Sequence, residues 1–384
     1  VTSRLRIVVA GYMAQFPFGG LTWHYLQYVV GLAQLGHDVF YLEDSGKWPY
    51  NPIEGGRGTD CMFNVRYVEE VLSRFGLGDR WAYRWSGEPE WYGLAQDARD
   101  EVLASADLLI NVSGALYRPD AYRQIRRMAY VDTDPVFTQI RVARGDPFIR
   151  GCVNAHDVHF SFGETLTDPV PQTGYRWIPT RQPVLLSEWS GTATAREAFT
   201  TVMNWTSYDD VEWQGRTYGQ KNIEFCRFLD LPAVVAPAQL ELALAPGKTV
   251  KSPYQLLRQR GWRVVDPDKA CGNLDNYRGY LRSSKAEWSV AKEAYAAARS
   301  GWFSERSACY LAAGRPVVVQ DTGFDAVLPV GEGIVSFSTL ADAAAGIRTV
   351  EAEYDAHSRA ALQIAEDYFD SSKVLERLVA DALS

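Results

Sequence analysis

Short apolar runs alternate with longer segments whose apolar residues recur at helical spacing, and this alternation occurs twice along the chain. Arg6–Ala10 reads as a buried strand and Gly11–Gly20 as a glycine-containing loop. In Thr22–Leu35, residues Leu26, Val29, Val30 and Ala33 share one face, which predicts a helix; Gly36 stops it and Asp38–Leu42 is the next strand. Asp107–Val112, Met128–Val131 and Val158–Phe162 are further strands, the last entering the loop Gly163-Glu164. From about Pro179 to Thr194, Pro, Ser, Gly and Thr collect as in a connection between domains. The second alternation follows. Its strands are Phe199–Trp205, Glu241–Ala245, Trp262–Val265, Trp288–Ala291 and Pro316–Gln320. Its helices are Lys221–Leu229, Pro253–Arg260 and Ser304–Ala313, and the chain beyond Leu340 is mostly helical.

Strands regularly separated by helices predict parallel sheets covered by helices. The expected fold is α/β, two Rossmann-like doubly wound domains facing a cleft. The expected domains are 1–184 and 195–365, with 366–384 a helix packing back toward the first. The cleft is the default ligand site of such a plan. Dehydrogenases, periplasmic binding proteins and epimerases share the pattern, so function has to be argued from side chains.

Composition narrows the classes. A chain of 384 residues suits two domains, and 47% hydrophobic with 22% charged residues is ordinary for a globular enzyme. A net charge of −8 argues against a nucleic-acid partner, which needs a basic surface. Cys61, Cys152, Cys226, Cys271 and Cys309 are scattered without a C-x-x-C pair, which indicates neither a disulfide framework nor a zinc knuckle. No apolar run approaches the roughly 20 residues of a membrane span. The chain enters a strand at once, without a signal-peptide cleavage region, so a reducing, cytoplasmic compartment is expected. No G-x-G-x-x-G follows either leading strand, which disfavours a dinucleotide dehydrogenase.

The most informative stretch is Gly301–Phe324, a loop, a capped helix, a glycine stop, a buried strand and a glycine turn. Ser304 is the expected N-cap, and the helix beginning with Glu305, Arg306 and Ser307 offers free N–H groups to an anion. Glu305 suits sugar or ribose hydroxyls and Arg306 suits phosphate. The turn Asp321-Thr322-Gly323-Phe324 lies at a strand's carboxyl end, where a second phosphate or a sugar oxygen is expected.

This stretch resembles the donor-binding core of GT-B glycosyltransferases, in which a helix carrying a carboxylate leads into a small-Gly-x-Pro-Val strand. It is most similar to the bacterial CgeB-like branch, with an acid–Arg pair before the glycine. The likeness extends loosely over the C-terminal half, including Leu328–Gly333 and the helical tail. One departure matters. The common pattern has two glutamates eight residues apart, and that register holds Gly301 and Cys309 here, leaving Glu305 as the nearby acid.

The resemblance implies a hexosyltransferase-like enzyme using a nucleoside-diphosphate sugar, without cofactor or metal, and a small-molecule or glycan acceptor. It implies a basic residue in the loop after the strand ending Val202-Met203-Asn204-Trp205, which makes Arg216 or Lys221 the candidate to neutralise the leaving diphosphate. Arg282 and Lys292 are further basic candidates. Gly19-Gly20 resembles the glycine pair of acceptor domains, and His24 the histidine that deprotonates the acceptor, oriented by a carboxylate from elsewhere. Asp132-Thr133-Asp134 has the Asp-x-Asp form that holds a metal in GT-A enzymes. In a GT-B plan it reads instead as a cleft carboxylate, Asp132 or Asp134 being the expected partner of His24. His156 and His159 make an H-x-x-H match whose rings a strand would send to opposite faces, so it is not read as a metal site. The competing readings are a nucleotide-sugar epimerase on the same fold and a two-domain solute-binding protein.

Overall fold

The computed structural model describes residues 4–86, 90–191, 196–247 and 253–384. The end of the expected connection, Thr192 to Thr194, lies outside them.

The first sheet has eight strands. From edge to edge they are Trp177–Pro179, Val158–Ser161, Met128–Asp132, Leu108–Val112, Arg6–Ala10, Asp38–Glu43, Trp81–Arg84 and Trp91–Gly93. All pairs are parallel except the last, which closes one edge as an antiparallel pair. The second sheet has six parallel strands, in the order Arg263–Val265, Gln239–Gly247, Ala198–Thr206, Ala286–Ser289, Val317–Gln320 and Ile334–Phe337. The inner strands are buried almost throughout, as sheets covered on both faces require. In each sheet the first strand is internal and the chain winds outward to both sides, giving two doubly wound, Rossmann-like units. The loops at the carboxyl ends of Arg6–Ala10 and Leu108–Val112, and of Ala198–Thr206 and Ala286–Ser289, are therefore the switch-point crevices.

Helix Gly19–Gln34 lies where the two units meet. It starts a turn earlier than predicted, because Phe18 is extended and Gly19 already turns into the helix. A Cβ on Gly19 would stand 2.2 Å from the Asn273 carbonyl oxygen and 2.5 Å from Tyr277 Cβ, so only glycine lets the helix approach this close. The close backbone approach at Gly19 is thus made to the other half of the protein. Trp23 Nε1 donates to the Leu274 carbonyl at 2.9 Å, and Arg74 pairs with Asp275 at 2.8 and 2.9 Å across the same junction.

The C-terminal helix Ser371–Leu383 packs on the other end of Gly19–Gln34, with Gly31 beneath Leu375 and Ser371. The two chain crossings between the units are joined, since Val184 N donates to the Phe369 carbonyl at 2.7 Å and Ser371 N to the Val184 carbonyl at 2.9 Å. Other elements shift in detail. The predicted helix Lys221–Leu229 is a helix over Lys221–Phe225 followed by a 3₁₀ turn at Cys226–Phe228. Strand Ala286–Ser289 lies two residues before its predicted position.

The expected effect of Gly19→Ala is a loss of about 1–3 kcal/mol of stability, the usual cost of forcing atoms into a packed contact. Urea denaturation checks this, and an unchanged midpoint would contradict the close-packing account.

Candidate functional site

Between the two units lies a cavity of about 440 Å³, large enough for a small-molecule ligand. The first unit contributes Gly20, His24, Ser113, Thr133 and Asp134, and the second Asn204, Lys221, Tyr277, Lys292, Ser304, Glu305 and Arg306. Asn204 stands near the carboxyl end of Ala198–Thr206, and Lys221 opens the helix that follows the next hairpin.

Ser304 caps helix Glu305–Ala312 by accepting from Arg306 N at 3.3 Å. The first turn of that helix faces the cavity. Glu305 pairs with no other side chain among the described residues. Burial opposes its charge, but His24, Arg306, its own N–H and Lys221 together hold its pKa below the usual carboxylate value. Of these, the Arg306 charge acts at every pH, whereas His24 acts only when its ring is protonated.

Lys221 is the complementary feature. Its ammonium has no hydrogen-bond or ion-pair partner among the described residues, and part of its surface opens on the cavity. Burial lowers its pKa to about 7, helped by the Arg306 and Lys292 charges and opposed by Glu305. Arg306 and Lys292 are already engaged. Arg306 donates to Glu287 at 2.6 Å and to the Val202 carbonyl at 2.8 Å, and both side chains are almost fully enclosed. Burial works against the Arg306 charge, and Glu287, Tyr277 and Glu305 together outweigh it, raising the pKa. Arg306 is therefore a buried strut at the cavity wall rather than the free phosphate ligand expected.

Lys292 donates to Asp134 at 2.8 Å, and the hydroxyls of Tyr208 and Tyr295 donate to the same carboxylate. Asp134 is thus committed to a latch between the units. Asp132 is buried beneath it, accepting from Thr138 at 2.7 Å, Gln139 at 2.9 Å and Ser161 at 3.0 Å, and burial raises its pKa to about 6. Neither aspartate reaches His24. The sequence reading that paired them is corrected, because hydroxyl and amide donors on neighbouring elements take both carboxylates.

His24 is instead held by an amide. Its Nδ1 lies 2.6 Å from Gln182 Oε1, and its Nε2 lies 3.4 Å from Ser113 Oγ at the cavity wall. Burial lowers its pKa, with Glu305 and Gln182 acting the other way, so the ring is neutral at pH 7.

Other predicted positions lie outside this cavity. Arg216 is on a hairpin, Val211–Trp213 with Arg216–Tyr218, and it pairs with Glu293 at 3.0 Å on an exposed face. The hairpin closes through the two-residue turn Gln214-Gly215, both at positive φ. Arg282 ends its helix beside Gly191, away from the lining. The Asp321–Phe324 turn is closed on itself. Asp321 pairs with Arg299 and accepts from Gly323 N, both at 2.7 Å; Thr322 donates to the Trp302 carbonyl at 2.5 Å, and Phe324 packs on Phe303. Ser307, Thr322 and Phe324 line only a separate hollow of about 10 Å³, no more than one water needs. A hollow of that size does not admit the second phosphate expected there.

His156 and His159 do not point to opposite faces as predicted, because His156 precedes the strand. Their rings bond the Cys152 and Val153 carbonyls at 2.7 and 2.9 Å, so both are structural. The sequence reading missed Gln182, Ser113 and Tyr277. Ser113 reaches the cavity from a left-handed backbone, φ 61°, which no residue pattern announced.

No protein-family model matches the sequence, and no curated protein does. Solved structures do match in fold over the whole chain. HepE of Anabaena in complex with UDP-glucose is 13% identical with a TM-score of 0.60, covering 98% of this chain and 99% of that one. An alpha-glucosyltransferase in complex with UDP and a 13-mer DNA containing an A:G mismatch is 10% identical with a TM-score of 0.57, covering 100% of each. Sucrose-phosphate synthase from Thermosynechococcus elongatus is 12% identical with a TM-score of 0.52, covering 98% of each. The fold is that of GT-B glycosyltransferases, with two Rossmann-like domains.

Arg306→Met is expected to destabilise the protein by about 3–5 kcal/mol, because it strands the Glu287 charge in the interior. Denaturant unfolding measures it, and a cost within the scatter of surface substitutions would mean that the pair is not a structural strut.

Proposed function

We propose that this protein is a glycosyltransferase that moves a sugar from a nucleoside-diphosphate sugar to an acceptor hydroxyl, without a metal ion. One observation carries the reading: a lysine ammonium and a carboxylate that have no side-chain partner among the described residues share the interdomain cavity with a capped helix N-terminus. A diphosphate offers negative charge to the first and third of these, and a sugar offers hydroxyl donors to the carboxylate. The fold shared with UDP- and UDP-glucose-bound proteins supports the same assignment.

In this reading Lys221 and the N-terminal N–H groups of helix Glu305–Ala312 bind the diphosphate, and Glu305 and Asn204 orient the sugar. The acceptor oxygen attacks the anomeric carbon, the bond to the phosphate oxygen breaks, and the electron pair leaves with the diphosphate. Lys221 stabilises the charge that develops there. The acceptor proton goes to His24 Nε2, and the facing Glu305 carboxylate offsets the imidazolium so formed. Metal independence is supported by the aspartates themselves, since donors on neighbouring elements already occupy Asp132 and Asp134. The CgeB-like placement belongs to the same proposal and rests on Gly301–Phe324. With a net charge of −8, a small molecule or a glycan suits as acceptor better than a nucleic acid.

Calorimetric titration with uridine, thymidine and guanosine diphosphates in a chelating buffer tests this. At least one is expected to bind, with affinity greatest below about pH 7 and falling as Lys221 loses its proton above it, by up to tenfold per pH unit. Lys221→Arg should remove that fall, and Lys221→Ala should weaken binding roughly 10- to 100-fold, the worth of a charge-assisted hydrogen bond. Affinity that needs a divalent metal, or is indifferent to pH and to Lys221→Ala, would contradict the assignment.

A further inference from the structure

We propose that Gln182, in the connection between the two units, is the positioning residue for His24, holding the ring with Nδ1 protonated and Nε2 bare toward the cavity. The inference rests on the reading of the cavity as a glycosyl-transfer site.

The amide can face only one way. Gln182 is 1% exposed, and its Nε2 donates to the His24 carbonyl at 3.2 Å and to the Pro183 carbonyl at 3.0 Å. Two carbonyl oxygens demand the NH₂ group there, so Oε1 faces the ring, where it can only accept. At 2.6 Å the hydrogen bond puts the proton on Nδ1, and in a neutral imidazole the lone pair is then on Nε2. Nε2 points to Ser113 Oγ at 3.4 Å, while that hydroxyl makes its shorter contact, 2.8 Å, with Thr133. The long side of the pair is where an acceptor hydroxyl has access.

The groups facing the ring are few. Tyr25 and Tyr28 on its own helix lie at 4.8 and 6.1 Å between centroids, both kept protonated by burial. Phe162 lies at 6.2 Å, Ser113 is neutral, and Glu305 comes from the second unit. An amide orients a ring as a carboxylate does but supplies no charge to stabilise the imidazolium. Among the described residues, the charge that acts on the ring is that of Glu305, across the cavity. The connection is also fixed to the helix that carries His24, because Gln27 Oε1 accepts from Leu185 N at 3.1 Å and from Trp189 Nε1 at 2.9 Å. The ring's orientation is therefore tied to the segment joining the two units.

The test uses the full chain labelled with ¹⁵N-histidine, with His24 assigned among the five histidines by a His24→Asn variant. The wild-type ring is expected as the Nδ1–H tautomer. Gln182→Glu should raise the His24 titration midpoint by about one unit or more, as an adjacent carboxylate does, and should move the acid limb of kcat/KM with it. Gln182→Met keeps the volume and removes the bonds, and serves if the glutamate variant does not fold. It should release a mixture of tautomers and lower kcat by tenfold or more with donor KM nearly unchanged. An Nε2–H tautomer in the wild type, or an unchanged titration in Gln182→Glu, would overturn the positioning role. A titration that moves while the acid limb of kcat/KM stays in place would uphold the positioning role and remove His24 as the base of the proposed reaction.

Discussion

The structure depends on one helix being buried on every side. From Thr22 to Leu32 every residue of helix Gly19–Gln34 is buried, because the first sheet, the second unit and the C-terminal helix all pack on it. Such a helix has no polar face to spare, so its polar side chains turn to partners packed around it, the Tyr28 hydroxyl being left without one among the described residues. Thr22 has the Tyr67 hydroxyl at 2.6 Å, His24 has Gln182, and Gln27 has Leu185 and Trp189. Close approach at Gly19 and Gly31 lets the second unit and the C-terminal helix seat against it. The same element is thus the core of one unit and the bearing surface of the other. A histidine on it can be both deeply held and open to the cavity.

Charge is distributed by the same logic. Most ionisable groups near the cavity are spent on structure: Arg306 on Glu287, Lys292 on Asp134, and Glu43 on ordering the loop before the helix. Glu43 accepts from Ala14 N at 2.7 Å, Gln15 N at 2.6 Å and the Tyr41 hydroxyl at 2.6 Å, while burial raises its pKa to about 7. Among the described residues, the Lys221 ammonium and the Glu305 carboxylate are left on the cavity without a side-chain partner, near enough to act on each other. Pre-placed charges of this kind stabilise charge as it develops in a reaction without reorganising first.

Much of the fold was legible because buried parallel strands and glycine-stopped helices write themselves locally. Arg6–Ala10, Asp38–Glu43 and the Ser304-capped helix all lie within a residue or two of where the pattern put them. The last two strands of the first sheet, Trp81–Arg84 and Trp91–Gly93, were not legible, being short and set by pairing rather than by a continuous apolar run. For the site, the helix N-terminus marked Glu305 and the post-strand basic segment marked Lys221. Arg216 and Arg282 have the same chemistry in similar loops, and only the fold shows that a hairpin and a helix end carry them away. Gln182 had no signal at all. Its importance comes from a contact between residues 158 positions apart, and an amide between Arg181 and Pro183 reads as part of a connection.

The central claim is that the unpaired charges of the second unit hold the donor. The most direct test is the crystal structure of the complex with whichever nucleoside diphosphate binds. The diphosphate is expected within hydrogen-bond distance of Lys221 Nζ and of the first N–H groups of helix Glu305–Ala312, with Glu305 turned to the sugar position. A nucleotide lying wholly against residues 1–150, with Lys221 still unpartnered, would contradict the account.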